Sequence, residues 1–370
     1  MKVLAFPSAS NKYQELLYSR FPPDTQVKVI GATWDENPIN VLIFIFSLLA
    51  YKRSGYSIFH LHWFFFLKKP PSSGFYRWLI LALNYLYAWL LLRAISFTGF
   101  RLVYTVHNVT PHEPLTINDA AITRLTLRLA DAVICHSADT INQLRAIGAY
   151  VNKCHLIPHG AYPLIHAKNI SRKESRRQLQ LPQNVFMFLF LGWVREYKGV
   201  LPLISTYSRI ALKHKNTILV IAGKCSDQEL CKEIIRKSKD LNVVLRLEYV
   251  PEHLVPLYYS ATNVAVFPHR KITTSGSVIE AFSYGVPAIF PDLGNLKEVP
   301  EGVGIKYDPN SEDGLYNAME QAILHENLSS LGEREKAYVA QFNWEAIAKK
   351  THALFLSLRF SCGGGAKYPR

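Results

Sequence analysis

The chain has 370 residues, beyond the roughly 100–200 that one hydrophobic core usually organises, so two domains are expected. Hydrophobic residues make up 49% and charged residues 19%, a balance that excludes a disordered chain. Lys and Arg exceed Asp and Glu by a formal net charge of +14, which implies an anionic partner (nucleic acid, anionic lipid or a phosphorylated substrate) or else a solubilising surface charge.

In chain order, the first apolar run, residues 2–6 before Pro7, is too short for a signal-peptide core and reads as a β-strand. Strands are expected next over residues 26–30, 57–62, 101–107, 132–136 and 155–157, several of them ending in small or polar residues. Between the third and fourth lies an almost wholly apolar stretch, residues 78–92, broken by Asn84 and tyrosines and followed by Arg93. A membrane pass there would separate two strands expected to be parallel, so the stretch is assigned as the crossover helix. A helix apolar all round needs cover on more than one face. One face can pack on the sheet and the other on lipid, with Lys68, Lys69, Arg77, Arg93 and Arg101 at anionic headgroups; the alternative cover is a partner subunit or another helix. Residues 41–50, followed by Lys52 and Arg53, repeat the apolar-then-basic pattern, and peripheral attachment to a membrane surface is expected.

Around residues 168–180 the chain turns polar and basic, which places a linker there and a domain boundary at 167/168. The second half repeats the alternation, with strands expected at 186–191, 218–222, 243–248, 264–267 and 288–290. Residues 344–358 read as an amphipathic helix that packs back on the first domain, and the glycine-rich end, 361–370, as a flexible tail. Short apolar runs alternating with helical patterns give the fold class: α/β, two Rossmann-like domains facing a central cleft. The five cysteines (135, 154, 225, 231 and 362) are odd in number and form no C-x-x-C pair, so neither a zinc site nor a disulfide framework is expected. A reducing, cytosolic setting fits that usage.

Two motifs carry chemistry in the second half. After the strand at 186–191 come Gly192, Trp193, Val194, Arg195, Glu196, Tyr197, Lys198 and Gly199, then a helix. Such a loop can aim two cations at one diphosphate while a helix N-terminus adds partial positive charge. The alternative is a solvated basic turn. Further on, Ser275, Gly276 and Ser277 precede an apolar helix that stops at Gly285, and Glu280 sits one turn inside, placed to accept from a ribose diol. Ordinary capping accounts for the same pattern. In the first half, His107 ends a central strand, where a parallel sheet gathers its ligands, and Asn108, Pro111, His112 and Glu113 follow. His60, His62 and Trp63 end the neighbouring strand at the same rim. His60 and His62 are expected on opposite faces, with His62 facing the ligand.

Taken together, Gly192–Gly199, the helix start Ser275–Glu280, Gly285-Val286-Pro287, Ile157-Pro158-His159-Gly160 and Phe342-Asn343-Trp344 resemble the retaining glycosyltransferases of family 4, which have the GT-B fold. The resemblance runs from about residue 57 to residue 358. It implies that Arg195 and Lys198 hold the donor diphosphate, that Glu280 binds the ribose, and that His107 hydrogen-bonds the donor sugar near the reacting carbon. The family carries a second glutamate where this chain has Ile272, which departs from the pattern at the donor sugar. The usual Gly-Gly of the first loop is replaced by the run from Pro7 to Gln14, where Asn11 becomes an acceptor-side candidate together with His62 and Trp63.

No Asp-x-Asp triplet, the natural magnesium anchor for a nucleotide sugar, occurs in the chain. No metal or other cofactor is therefore expected, and Arg195, Lys198 and the helix dipole are left to stabilise the departing diphosphate. The expected activity is hexosyl transfer with retention from a nucleotide-diphosphate sugar to a glycan or lipid-linked acceptor, at the inner, cytoplasmic face of a membrane. The alternatives are a sugar-nucleotide epimerase or hydrolase of the same fold, a non-catalytic scaffold, and a basic nucleic-acid-binding protein. The chain has no zinc spacing, RNA-recognition consensus or basic recognition helix for the last of these, and no nucleic-acid partner is expected.

Overall fold

A computed structural model of the chain describes residues 1–7, 12–31, 38–63, 70–71, 74–111, 113–164 and 170–360. Asn11, Lys68, Lys69, His112 and the tail at 361–370 lie outside the described residues. The chain divides into two compact units, Met1–Gly160 with Trp344–Arg370, and Ala161–Asn343.

The first unit runs β1 (Lys2–Phe6), α1 (Lys12–Tyr18), β2 (Gln26–Val29), α2 (Pro38–Arg53), β3 (Ile58–Leu61), α3 (Phe75–Phe97), β4 (Arg101–Val106), α4 (Asp119–Leu129), β5 (Ala132–Cys135), α5 (Ala138–Ala146) and β6 (Cys154–Leu156). Its six strands form a parallel sheet in the order β2-β1-β3-β4-β5-β6. The inner strands β3 and β5 are buried along their whole length, which is why β5 reads as a continuous apolar run and β3 as one broken only by His60. Helix α3 joins β3 to β4, its parallel neighbour in register Ile58 with Arg101, and so serves as their crossover. The one polar break in its buried face, Asn84, donates from Nδ2 to the carbonyl of Leu115 at 2.8 Å.

The second unit runs α6 (Arg172–Gln178), β7 (Phe186–Leu191), α7 (Val200–Lys213), β8 (Thr217–Ala222), α8 (Gln228–Ser238), β9 (Val243–Arg246), α9 (Val255–Ala261), β10 (Val264–Val266), α10 (Gly276–Ser283), β11 (Ala288–Pro291), β12 (Ile305–Tyr307), α11 (Gly314–Leu324) and α12 (Leu328–Ala340). The sheet order is β12-β11-β10-β7-β8-β9, all parallel, so the order reverses between β7 and β10. In doubly wound sheets ligands gather at the carboxyl ends of the strands beside such a reversal. The final helix, α13 (Trp344–Phe360), belongs to the first unit, where Arg20 Nε meets Glu345 Oε1 at 2.9 Å and Thr25 Oγ1 meets His352 Nε2 at 2.8 Å.

The course of the chain departs from the sequence expectations in three places. The basic stretch near 168–180 holds helix α6 rather than a linker. Ser171 caps it by accepting from the amide of Glu174, and the nearly fully buried Arg176 donates to the carbonyls of Ala261, Gln183 and Val185 and to Asn263 Oδ1. A buried guanidinium making four hydrogen bonds is a structural bolt, and the chain passes between units earlier, at Gly160/Ala161. Strand β12 went unread because only three residues, one of them Lys306, form it at the sheet edge. Finally, Cys225 and Cys231 are joined in a disulfide. The loop after β8 turns back onto α8 and brings their Cα atoms to 6.1 Å, and that proximity, not C-x-x-C spacing, decides pairing.

Candidate functional site

In the second unit, the loop after β7 is fixed from both sides. Gly192 donates from its amide to the carbonyl of Ala222, and Val194 to that of Lys224, each at 3.0 Å. Gly223 has φ 143°, and a Cβ there would lie 1.9 Å from the carbonyl oxygen of Gly192, so the two loops approach closely only because this residue has no side chain. On the other side, Arg270 donates from its amide to the carbonyl of Tyr197 at 2.8 Å. Gly199, at φ 71°, ends the short 3₁₀ turn Glu196–Lys198 and opens α7; a Cβ there would lie 1.9 Å from the carbonyl oxygen of Pro268.

This clamp sets the positions of three cations. Arg195 is exposed, with its guanidinium 5.5 Å from the centre of the Trp193 ring, and Lys224 brings its ammonium to 5.7 Å from the same ring. Lys198 is half-buried and places Nζ 3.1 Å from Nε2 of the buried His269, across the strand-order reversal. Burial first, and the neighbouring Arg195 second, lower the Lys198 ammonium to a pKa of about 8. A diphosphate brought to these side chains would oppose both effects, because its negative charge favours the ammonium.

Helix α10 begins beyond the loop that carries His269. Ser275 caps it, accepting at Oγ from the amide of Val278 at 3.5 Å, and is itself held by donating from its amide to Asn295 Oδ1 at 3.0 Å. Ser277 Oγ lies 3.4 Å from Ser275 Oγ. At Gly276 a Cβ would stand 2.8 Å from the hydroxyl of Tyr162, so a small residue is needed there. Glu280 accepts from the hydroxyl of Tyr259 at 3.4 Å, and the Tyr259 and Tyr284 rings stack at 4.8 Å. Tyr162, Tyr259 and Tyr284 all titrate above the ordinary phenol range, chiefly through burial and then through the charge on Glu280. Ile272, where the family places a second glutamate, packs instead against the apolar cluster of this unit. Arg195 and Lys198 are thus brought together, Ser275, Gly276, Ser277 and Glu280 share the start of α10, and residues 267–275 connect the two groups.

In the first unit, β3, β4 and β5 are each followed directly by a histidine: His62, His107 and His136. His159 follows β6 three residues on. The parallel sheet lines these ends up at one rim. Tyr18 places its hydroxyl 2.7 Å from His60 Nδ1 and 2.6 Å from His62 Nε2, while His62 Nδ1 is 3.2 Å from His107 Nε2. The buried ring of Tyr13 is within 5.7 Å, centre to centre, of His62, His107, His136, His159 and Trp344. Trp63 stacks on His107 at 4.3 Å and 15°. His60 and His62 are both buried and share a face, against the expectation of opposite ones. Along a strand, residues two apart point the same way.

Burial holds these imidazoles neutral. His60 and His136 are lowered to about 3 and His159 to about 4, while His62 and His107 lie well below the ordinary value, with neighbouring histidines adding to the effect for both. Sequence reasoning gave no site role to Tyr13, Tyr18, His136 and Trp344 here, or to Trp193, Lys224, His269 and Tyr259 in the second unit. The signal that could have found the histidines is their repetition at strand ends.

The sequence matches the family described as Glycosyltransferase Family 4 over residues 5–162 and that described as Glycosyl transferases group 1 over residues 171–350. Among curated relatives, the O-antigen chain mannosyltransferase B of Escherichia coli is 23% identical over 166 residues, 44% of either chain. A GDP-mannose:glycolipid 4-beta-D-mannosyltransferase of Xanthomonas campestris is 25% identical over 290 residues, 78% of this chain and 77% of the relative. Among solved structures, HepE from Anabaena in complex with UDP-glucose superposes with a TM-score of 0.76 at 16% identity, covering 96% of this chain and all of that one.

Proposed function

Since the chain is a glycosyltransferase of the family 4 type with the GT-B fold, we propose that it moves a hexose from a nucleotide-diphosphate sugar to a glycan or lipid-linked acceptor. The observation that carries this reading is the pairing of Arg195 with a half-buried Lys198 beside the strand-order reversal of the second sheet. Two adjacent cations in a partly desolvated loop repel each other, and a diphosphate offsets that cost. As the bond between the sugar carbon and the diphosphate breaks, negative charge grows on the leaving oxygens, and Arg195, Lys198 and the amides at the start of α10 stabilise it. Glu280 holds the ribose diol. His107, ringed by neutral aromatic groups, hydrogen-bonds the transferred sugar, and His62 and Trp63 are the acceptor candidates. Transfer proceeds with retention and without a metal ion. The mannosyl relatives and the glucosyl donor bound to HepE make GDP-mannose and UDP-glucose the first donors to try.

The reading extends to the membrane. Helix α3 leaves Phe75, Leu79, Leu83, Leu86 and Leu90 exposed at steps of three or four residues along one side, with Trp78 and Trp89 beside them and Arg93 over the Trp89 ring at 5.5 Å. On α2, Phe46 and Leu49 are exposed ahead of Lys52 and Arg53. Apolar faces edged by cations suit an anionic headgroup surface, and the protein works there, on the cytoplasmic side, against a lipid-linked acceptor.

The test is acceptor dependence. Glycosyl transfer releases nucleoside diphosphate in proportion to acceptor consumed. An epimerase or hydrolase would change the donor without any acceptor, and that result would replace this reading.

A further inference from the structure

We propose that Tyr18 is a positioning residue for His107, acting through His62 to set which ring nitrogen of His107 carries its proton. This rests on the reading above, in which His107 meets the donor sugar.

Four contacts link five groups: Thr105 Oγ1 to His60 Nε2 at 2.8 Å, His60 Nδ1 to the Tyr18 hydroxyl at 2.7 Å, that hydroxyl to His62 Nε2 at 2.6 Å, and His62 Nδ1 to His107 Nε2 at 3.2 Å. All three imidazoles are neutral, so each has one N–H and one bare lone pair. Every contact needs one donor and one acceptor, and Tyr18 has one proton to give. If Tyr18 donates to His62, then His62 carries its proton on Nδ1 and donates to His107 Nε2, and His107 carries its own on Nδ1. If Tyr18 donates to His60, His60 donates from Nε2 to Thr105 and His62 donates from Nε2 to the phenol oxygen. His107 must then donate from Nε2 to His62, and its Nδ1 is an acceptor. Any other arrangement sets two lone pairs or two N–H groups against each other, or leaves the phenol proton unpaired, in a buried site, at a cost of about 1–3 kcal/mol each.

The ring of His107 is otherwise held. Trp63 stacks on its face at 4.3 Å, and Tyr13 meets it edge-on at 4.8 Å and 88°. What the chain controls is therefore the proton on His107 Nδ1, which makes that nitrogen either a donor or an acceptor toward a sugar hydroxyl. One of the two settings matches the hydroxyl it meets. Without the Tyr18 hydroxyl, His62 is released from its constraint, both tautomers of His107 become populated, and the mismatched fraction is lost to turnover.

The experiment compares the full-length protein with Tyr18→Phe, which removes only the hydroxyl. Long-range nitrogen–proton NMR correlations on protein carrying ¹⁵N-histidine report each tautomer, with His107 assigned from its loss in His107→Asn. The expected result is one tautomer of His107 in the wild type and a mixture in Tyr18→Phe. With UDP-glucose or GDP-mannose as donor, kcat should fall by the fraction of His107 in the mismatched tautomer, about twofold for an even mixture, while the donor KM stays nearly unchanged. Two tautomers of His107 in the wild type, or an unchanged His107 signal in Tyr18→Phe, overturns the proposal. Should Tyr18→Phe fail to fold, Tyr18→Leu removes the same hydroxyl, and an unchanged His107 tautomer there overturns it equally. A wild type that consumes no nucleotide sugar sinks the glycosyl-transfer reading instead, and the NMR result still decides the role of Tyr18.

Discussion

Lys198 reaches across the strand-order reversal of the second sheet to place its ammonium 3.1 Å from Nε2 of His269. The contact joins the ends of β7 and β10, and Lys198 comes from a loop that two other strand ends already hold in place. Its charge is therefore set in position before any ligand arrives, which is the condition for electrostatic stabilisation without reorganisation.

Removing either cation should damage turnover more than stability. Arg195→Ala and Lys198→Ala are each expected to lower kcat/KM by about a hundredfold or more, on the scale of one lost transition-state donor. Arg195 is exposed, so Arg195→Ala should leave the melting temperature nearly unchanged. Steady-state kinetics beside thermal unfolding checks both halves, and near-normal transfer by the double variant would refute the assignment.

Gly199 should be intolerant for two separable reasons. Gly148 shares its φ of 71° but has nothing within 4 Å of a built Cβ, whereas at Gly199 that atom meets the Pro268 carbonyl. Gly148→Ala should therefore cost only the left-handed strain, about 1–2 kcal/mol. Gly199→Ala should cost more and also displace Arg195 and Lys198. Chemical denaturation of both variants tests this; equal losses would mean the close approach is relieved cheaply.

The histidine row makes the first unit acid-sensitive. His60, His136 and His159 hold native values of about 3, 3 and 4, below the 6.5 of a free imidazole, so on unfolding they take up protons that the native state refuses. Their contribution is complete above about pH 6.5 and is lost as pH falls toward the native values, by up to about 1.4 kcal/mol per pH unit for each. Thermal melts at pH 7, 6 and 5 should show a steep decline. A flat profile would mean that these imidazoles are solvated.

If α3 rests on lipid, co-sedimentation with vesicles containing phosphatidylglycerol should exceed that with neutral phosphatidylcholine and fall with salt. Trp78→Ser with Leu86→Ser, both on the exposed side, should weaken binding and leave the melting temperature near that of the wild type. Unaltered binding by this variant would place any lipid contact elsewhere.

Much of this architecture was legible in the sequence because its signals are local. Arg195 and Lys198 lie three residues apart in one loop, and buried strands such as β7 and β8 announce themselves as continuous apolar runs. The histidine row was not legible as a row, since His60, His62, His107, His136 and His159 meet only through the sheet order. The same limit explains Arg176, whose four acceptors come from loops up to 87 positions away, and the Cys225–Cys231 bridge, which depends on how the β8 loop turns. Register decided the remaining error, because residues two apart on a strand share a face and put His60 beside His62.

The most direct measurement is calorimetric titration of UDP and GDP into the wild type and into Arg195→Ala/Lys198→Ala. A diphosphate held by these two side chains predicts tight binding of at least one nucleotide to the wild type and loss of at least about a hundredfold in affinity in the double variant. Equal affinity in the two proteins would contradict the account.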